Sequence, residues 1–229
     1  MLDAARDAGW TSPRWLATGV APDGRQFLIE ELIDDARRAR PDQDDLALVL
    51  GANRLQAGRG TSVTRDWSRW NWRVLWEDEG GYGATLRRRP DSAGLLEQIL
   101  AANDRELVPP NDDLVHGDCV LDNILIQRGR PVFVDAEHAG RGTRAYDLAT
   151  LIYEANVGGE HGTPPDEITT RYVDEGMRLV GKEGFVHCVT SSMIEFIGFG
   201  FEHWADDVAG HVAKCEAFLD RLGVPRQIS

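Results

Sequence analysis

The sequence His116-Gly117-Asp118-Cys119-Val120-Leu121-Asp122-Asn123, with Val132-Phe133-Val134-Asp135 after it, decides how the rest of the chain is interpreted. Phosphoryl transfer needs a carboxylate to orient the attacking hydroxyl, oxygen ligands for Mg²⁺, and positioning of both substrates. Asp118 supplies a carboxylate, and Asn123 and Asp135 carry oxygen atoms of the kind that Mg²⁺ binds. The segment therefore predicts a site for phosphoryl transfer.

The residues between Asn123 and Asp135 predict a β-hairpin. Two β-prone runs flank a turn, in the order Ile124–Gln127, Arg128–Arg130, Pro131–Val134. Because Asn123 and Asp135 are equidistant from Gly129, a hairpin centred on Gly129 places them opposite each other, with Cβ atoms roughly 4.5 to 5.5 Å apart. Two oxygens reaching inward from that distance can share one Mg²⁺. Asp118 lies on the loop that enters the hairpin.

Hydrophobic periodicity and turn residues predict an α+β fold, with a remnant sheet, a hinge, and a mostly helical lobe around the catalytic hairpin. The dipeptide Asp23-Gly24 predicts a hairpin that pairs Trp15–Thr18 with Arg25–Glu30. Ser92 is predicted to cap a helix that runs to about Asn103. Further helices are predicted at about residues 45–57, 143–156, 165–180, 185–205 and 207–222.

The segment from Gly58 to Pro90 leaves two interpretations open. Its tryptophans at positions 67, 70, 72 and 76 either form a wall of an acceptor pocket, with indole faces against a sugar or cation, or pack into the core while the neighbouring arginines face solvent. The run Gly80–Gly83 is predicted to be a turn, because no strand precedes it as a phosphate-binding loop requires.

The central segment resembles the catalytic and metal-binding segments of the protein-kinase-like superfamily, and more narrowly its aminoglycoside phosphotransferase and choline kinase branch. The loop of that branch has His-Gly-Asp followed by Asn, which this chain matches at His116, Gly117, Asp118 and Asn123. The resemblance continues through Val134-Asp135-Ala136-Glu137, Gly142 and Asp147-Leu148-Ala149. It implies a protein-kinase-like fold with a small β lobe, a hinge and a helical C-terminal lobe.

The resemblance implies a role for each residue of this loop. Asp118 and His116 form the catalytic set, in which Asp118 orients the acceptor hydroxyl or accepts its proton. His116 is either a hydrogen-bonded support of the loop or an acid or base. Asn123 and Asp135 bind the Mg²⁺ that bridges the phosphates of ATP. Asp147 is a structural brace of the loop.

Two further predictions concern Glu137 and the segments that bind adenine. Glu137 is either a support for the metal site or a surface glutamate. The segments Pro13–Gly19 and Phe27–Leu32 look like the last two strands of the small lobe and the hinge that contacts adenine, through backbone groups at Glu30 and Leu32. Residues 1–33 are therefore predicted to be a remnant of the nucleotide-binding small lobe and hinge, and residues 34–229 the helical catalytic and substrate-binding lobe.

One departure from the family pattern leaves two functions open. Family members carry a phosphate-covering loop and a strand lysine ahead of these two strands, whereas the only lysines here are Lys182 and Lys214. A lost charge-assisted contact weakens ATP binding by roughly ten- to hundredfold. The chain is thus expected to be an ATP- and Mg²⁺-dependent kinase of weakened activity, or a catalytically silent kinase-like protein that binds a cationic ligand or a partner chain. A second copy that completes the small lobe in a homodimer is a further expectation.

Composition restricts the partners and the compartment. A formal net charge of −13 argues against nucleic acid and favours a cationic acceptor such as an aminoglycoside, which points to antibiotic resistance. The acidic clusters at residues 202, 206 and 207, and at 154 and 160, either attract that acceptor or keep the protein soluble. Three widely spaced cysteines and the lack of a leader pattern indicate a cytoplasmic protein. The apolar segment from Phe185 to Trp204 contains ionisable residues, which predicts a buried helix and no membrane span.

Overall fold

Three small sheets and a larger set of helices make up the fold. The computed structural model describes residues 3–7, 9–60, 65–158, 162–203 and 208–226. The α-helices are α1 (Asp3–Asp7), α2 (Gln43–Asn53), α3 (Trp67–Trp76), α4 (Tyr82–Arg87), α5 (Pro90–Ala101), α6 (Ala145–Val157), α7 (Asp166–His203) and α8 (Val208–Arg221). The strands are β1 (Trp15–Val20), β2 (Gln26–Glu30), β3 (Ala36–Arg38), β4 (Asp113–Val115), β5 (Ile124–Gln127), β6 (Arg130–Phe133) and β7 (Gly140–Gly142). The predicted α+β class is confirmed.

The strands pair antiparallel in three separate sheets, namely β1-β2, β3-β5-β6 and β4-β7. The first is the predicted hairpin, whose turn contains Gly24 at φ +85°. Its apolar side chains are widely exposed, with 60% of Leu16 and 66% of Val20 open to solvent. Beyond the predicted boundary at residue 33, β3 pairs with β5 of the catalytic hairpin. The division into two lobes at that residue stays a prediction.

The catalytic hairpin is present, but its predicted centre was wrong by half a residue. Its turn contains only Arg128 and Gly129, both with positive φ, as a two-residue turn of type I′ requires. Ile124 therefore pairs with Phe133, and the N–H of Val134 donates to the carbonyl of Asn123 at 3.0 Å. The residue opposite Asn123 is Val134, so Asp135 lies one residue beyond the predicted position.

Most of the predicted helices are confirmed, with one correction at a helix start. Helix α5 begins at Pro90, with Arg89 as the flanking residue, so Ser92 is not its cap. The Ser92 hydroxyl instead donates to the carbonyl of Leu86 at 2.9 Å inside the first turn. The predicted gap between two long helices is a single break within α7, at Gly181 with φ +75°.

Helix α7 is the central core helix of this fold. It packs along α6 and also contacts α3, α4 and α8. Among the described residues it is the one helix long and apolar enough to cross a membrane, yet 83% of its most apolar window is buried inside the protein. That burial against other helices is the position of a core helix, as predicted for this segment.

His187 gives α7 a dependence on pH. The residue is fully buried, neither ring nitrogen has a hydrogen-bond partner among the described residues, and burial lowers the pKa of His187 from 6.5 to about 4. A lowered folded-state pKa contributes stability that is complete above pH 6.5 and is lost as the pH falls through about 4. The folded state therefore favours the neutral imidazole.

We predict that His187→Leu removes this acid sensitivity. The free energy of unfolding of the wild type should fall by on the order of 3 kcal/mol more than that of the variant between pH 7 and pH 4. Urea denaturation at a series of pH values measures the difference. Parallel stability curves for the two proteins over this range would contradict the assignment.

Candidate active site

The catalytic loop is held from beneath by Asp147. Its carboxylate accepts the backbone N–H of His116 at 2.8 Å and that of Gly117 at 3.1 Å. A third donor is the side chain of Gln56, at 2.6 Å. Burial raises the pKa of Asp147, and the neighbouring His116 ring, the two backbone donors and the Gln56 side chain act in the opposite direction. The first turn of α6 thus fixes the backbone of the loop, in the bracing position predicted for Asp147.

His116 links the loop to the hairpin. Its ring is fully buried and lies against the stacked pair of Trp10 and Phe133, at centroid distances of 6.4 and 6.0 Å. The backbone N–H of Asp118 donates to Nδ1 at 3.3 Å, which makes Nε2 the protonated nitrogen that donates to the carbonyl of Val134 at 2.9 Å. Both ring nitrogens are engaged, which is the geometry of a support for the loop.

Asp118 and Asn123 form the centre of the site. The Asn123 carboxamide nitrogen donates to the Asp118 carboxylate at 2.8 Å and to the Asp118 carbonyl at 3.0 Å. These bonds orient the Asp118 carboxylate and leave the Asn123 Oδ1 atom as the group that can bind a cation. Both residues keep partial solvent exposure, so the pair is accessible to a ligand.

Asp135 and Glu137 lie beside each other on the loop after β6. Asp135 adopts a left-handed conformation with φ 60°, which ends the hairpin and turns the following residues into a short 3₁₀ helix, Ala136–His138. Burial raises the pKa of Glu137, and the charge and hydrogen bond of Asp135 raise it further. Two carboxylates are therefore held together against their mutual repulsion, and a cation between them would relieve it.

The donor set fits Mg²⁺ without forming a complete cage. Within the residues that the structure describes, no group of three or more His, Cys, Asp or Glu side chains is placed to hold a metal ion. Asp135, Glu137 and the Asn123 carboxamide offer only oxygen, the donor atom of Mg²⁺, which usually keeps several waters and phosphate oxygens among its ligands. The residues present therefore match an ion that arrives with a nucleotide.

The proposed adenine residues are at and just after the end of β2. Glu30 ends β2, and its Oε1 atom is buried without a hydrogen-bond partner among the described residues. Leu32 follows with 81% of its surface exposed. Of the acidic clusters, residues 160, 206 and 207 and the side chain of Glu202 lie outside the described part. Glu154 accepts the backbone N–H of Leu121 at 3.4 Å, so it supports the catalytic loop.

Trp67 is the main residue that the sequence did not assign to the site. It is 3% exposed and fits against two glycines, because a side chain at Gly117 or Gly140 would collide with its ring. Its Nε1 atom donates to the carbonyl of His138 at 2.9 Å. Trp67 thus contacts the catalytic loop and the loop of Asp135 together. Trp67 packs into the core, as one of the two interpretations of the tryptophan-rich segment predicts. That interpretation also placed the neighbouring arginines in solvent, whereas Arg65 stacks on the Trp67 ring at 4.3 Å.

The comparisons with known proteins concern the family and the fold of the chain. The sequence profile of the phosphotransferase enzyme family, APH, matches residues 44–178, more than half of the chain. The chain belongs to this phosphotransferase family. No curated protein matches it.

Solved structures with the same fold include members of both predicted branches. One is the aminoglycoside phosphotransferase APH(4)-Ia in complex with ADP and hygromycin B, with TM-score 0.66, 15% identity, and coverage of 94% of this chain and 78% of that one. Another is a choline/ethanolamine kinase family protein from Mesorhizobium loti, with TM-score 0.59, 19% identity, and coverage of 95% and 76%. The choline kinase LicA from Streptococcus pneumoniae has TM-score 0.60, 11% identity, and coverage of 97% and 78%. The predicted kinase-like fold is confirmed.

We predict that Gly117→Ala disrupts the catalytic loop. Gly117 has φ +88°, and an added methyl group would overlap the Trp67 ring, so the variant should lose on the order of 3 kcal/mol or more of stability. Gly24→Ala is the matched control, because Gly24 has φ +85° with open space around it. The control should lose only about 1 kcal/mol. Thermal unfolding of both variants checks this, and equal losses would show that Trp67 does not restrict the loop.

Proposed function

We propose that the protein is an ATP- and Mg²⁺-dependent small-molecule kinase that transfers the γ-phosphate to a hydroxyl of a cationic acceptor. The observation that carries the proposal is the Asp118 carboxylate, oriented by Asn123 on a loop whose backbone is fixed by Asp147. The family, which is one of phosphotransferases, supports the reaction class.

Each residue has a task in this reaction. Asp118 accepts a hydrogen bond from the acceptor hydroxyl and receives its proton as the new oxygen–phosphorus bond forms and the bond to the ADP leaving group breaks. Asn123 keeps the Asp118 carboxylate in place while its own Oδ1, with Asp135 and Glu137, would hold Mg²⁺. When bound, the ion supplies positive charge that offsets the charge on the phosphate oxygens. His116 and Asp147 hold the loop still during the transfer.

Charge supports a cationic acceptor. The chain carries a formal net charge of −13, which raises the encounter rate with a polycation. The solved structures that share its fold include an enzyme bound to hygromycin B and a choline kinase. An amino sugar or an amino alcohol with a free hydroxyl is therefore the class of acceptor to test first.

A catalytically silent binding protein is the second candidate, and the positions of the lysines favour it. Lys182 donates to the carbonyl of Gly223, and Lys214 donates to that of Val157, both within the helical lobe. Both lysines are bonded there, so neither is assigned to neutralise the negative charge of the nucleotide phosphates. Titration calorimetry with ATP, with and without Mg²⁺, separates the candidates, because saturable Mg²⁺-dependent binding supports the kinase and acceptor binding with no nucleotide response supports the silent protein.

We predict that Asp118→Ala lowers kcat by at least about a hundredfold, because base catalysis typically contributes 10² to 10⁴. Release of ADP from MgATP, measured across a panel of aminoglycosides and amino alcohols, is the assay. Asp122→Ala is the control, since Asp122 lies four residues away on the same loop in an exposed ion pair with Arg38 at 2.5 Å. That variant should keep activity within about twofold, because exposed pairs contribute little. Full activity in Asp118→Ala would refute the proposed base.

A further inference from the structure

Trp67 and Trp70, called the indole pair from here on, connect α7 to the catalytic loop. The two rings meet edge to face at a centroid distance of 6.3 Å. Trp67 lies against Gly117, the residue before Asp118, and also stacks on Tyr146 at 5.3 Å. The position of the indole pair therefore limits where the backbone that carries Asp118 can lie.

Glu195 of α7 holds the other end of the indole pair. The Nε1–H of Trp70 donates to the Glu195 carboxylate at 2.7 Å, across 125 residues of sequence. Arg65 lies over both rings, 4.3 Å from the Trp67 ring and 5.0 Å from that of Trp70, and its guanidinium is 3.0 Å from the Nδ1 atom of His138. The pair is thus fixed by a carboxylate on one side and a guanidinium on the other.

The surroundings of Glu195 are unusual for a structural carboxylate. Burial raises the pKa of Glu195 to about 7, the charge of Asp118 raises it as well, and Trp70, Arg65 and Tyr146 act in the opposite direction. No arginine or lysine forms an ion pair with Glu195 among the described residues. The residue nevertheless keeps partial solvent exposure.

We infer that Glu195 is a positioning residue, which anchors the indole pair and through it sets the place of Gly117 and Asp118. Its catalytic consequence rests on the proposed phosphoryl transfer, whereas its structural part can be tested without substrate. An ionised carboxylate accepts a stronger hydrogen bond from Trp70 than a neutral carboxyl or carboxamide does. The indole pair is held most firmly when Glu195 is charged.

Replacing Glu195 by a neutral residue should raise stability and lower activity at pH 8. A raised folded-state pKa means that the stabilising contribution is complete below the ordinary value of 4.5 and is lost as the pH rises through about 7. At pH 8 the buried charge of Glu195 therefore lowers the stability of the fold, while its strong hydrogen bond to Trp70 keeps the indole pair in position. A residue that only stabilised the fold would lower stability and activity together when replaced.

The test compares Glu195→Gln with the wild type. At pH 8 the variant should have a higher Tm than the wild type and a kcat lower by roughly five- to tenfold, with KM for both substrates within about twofold. The wild-type kcat should fall as the pH drops through about 7, and the kcat of the variant should not show this decrease. An unchanged kcat, or a kcat and a Tm that fall together, would overturn the inference.

Matched controls separate this effect from general damage. Glu183→Gln changes an exposed carboxylate on the same helix, and Trp72→Phe removes an indole N–H that donates to the carbonyl of Arg105 away from the pair. Both should leave kcat unchanged. Trp70→Phe removes the donor to Glu195 and should reproduce the loss of kcat; full activity in this variant would overturn the inference.

An NMR experiment decides the structural part without catalysis. The indole N–H resonances of ¹⁵N-labelled tryptophans, assigned through single Trp→Phe variants, should show Trp70 and Trp67 titrating together near pH 7 in the wild type and neither titrating in Glu195→Gln. A Trp67 resonance that stays constant while that of Trp70 moves would overturn the inference. If the wild type transfers phosphate to no acceptor, the proposed function fails and this experiment alone decides the role of Glu195.

Discussion

The hydrogen bonds from the backbone of His116 and Gly117 to Asp147 are the interaction on which the rest of the site depends. A backbone N–H that is buried without an acceptor costs about 1 to 3 kcal/mol, so the loop needs a carboxylate beneath it. Gln56 supplies a third donor and completes the environment of that buried charge. Because Asp147 belongs to α6, which packs along α7, the helical core determines the geometry of the loop.

The sequence predicts this site well where the contacts are local. His116 to Asp135 span a loop and a hairpin whose turn residues and apolar runs are visible along the chain, so the candidate catalytic and metal-binding residues could be proposed together. The half-residue error in the hairpin centre arose because Arg128 adopts φ 51°, a conformation that its side chain does not favour. Nothing in the pattern of apolar residues indicates a two-residue turn there.

The sequence fails where the partners are distant. Gln56 lies 91 residues from Asp147, and Trp70 lies 125 residues from Glu195. The trace of Trp67 in the sequence is a pair of glycines at positions 117 and 140, because a side chain at either would collide with the indole. Such glycines indicate a close approach without naming what approaches, and so the tryptophan-rich segment could not be assigned to one of its two interpretations.

The buried polar side chains of this chain differ in how many hydrogen bonds they make, and the number depends on where each one lies in the fold. Asp147 accepts three hydrogen bonds and fixes the loop, whereas His187 in α7 has no hydrogen-bond partner within the described part of the chain and lies in the core. Burial and the charge of Asp118 raise the pKa of Glu195, and burial and the charge of Asp135 raise the pKa of Glu137. Repulsion between carboxylates is relieved by cations, so in the proposed function the binding of Mg²⁺ and of a cationic acceptor would each stabilise a part of the site that is strained when empty.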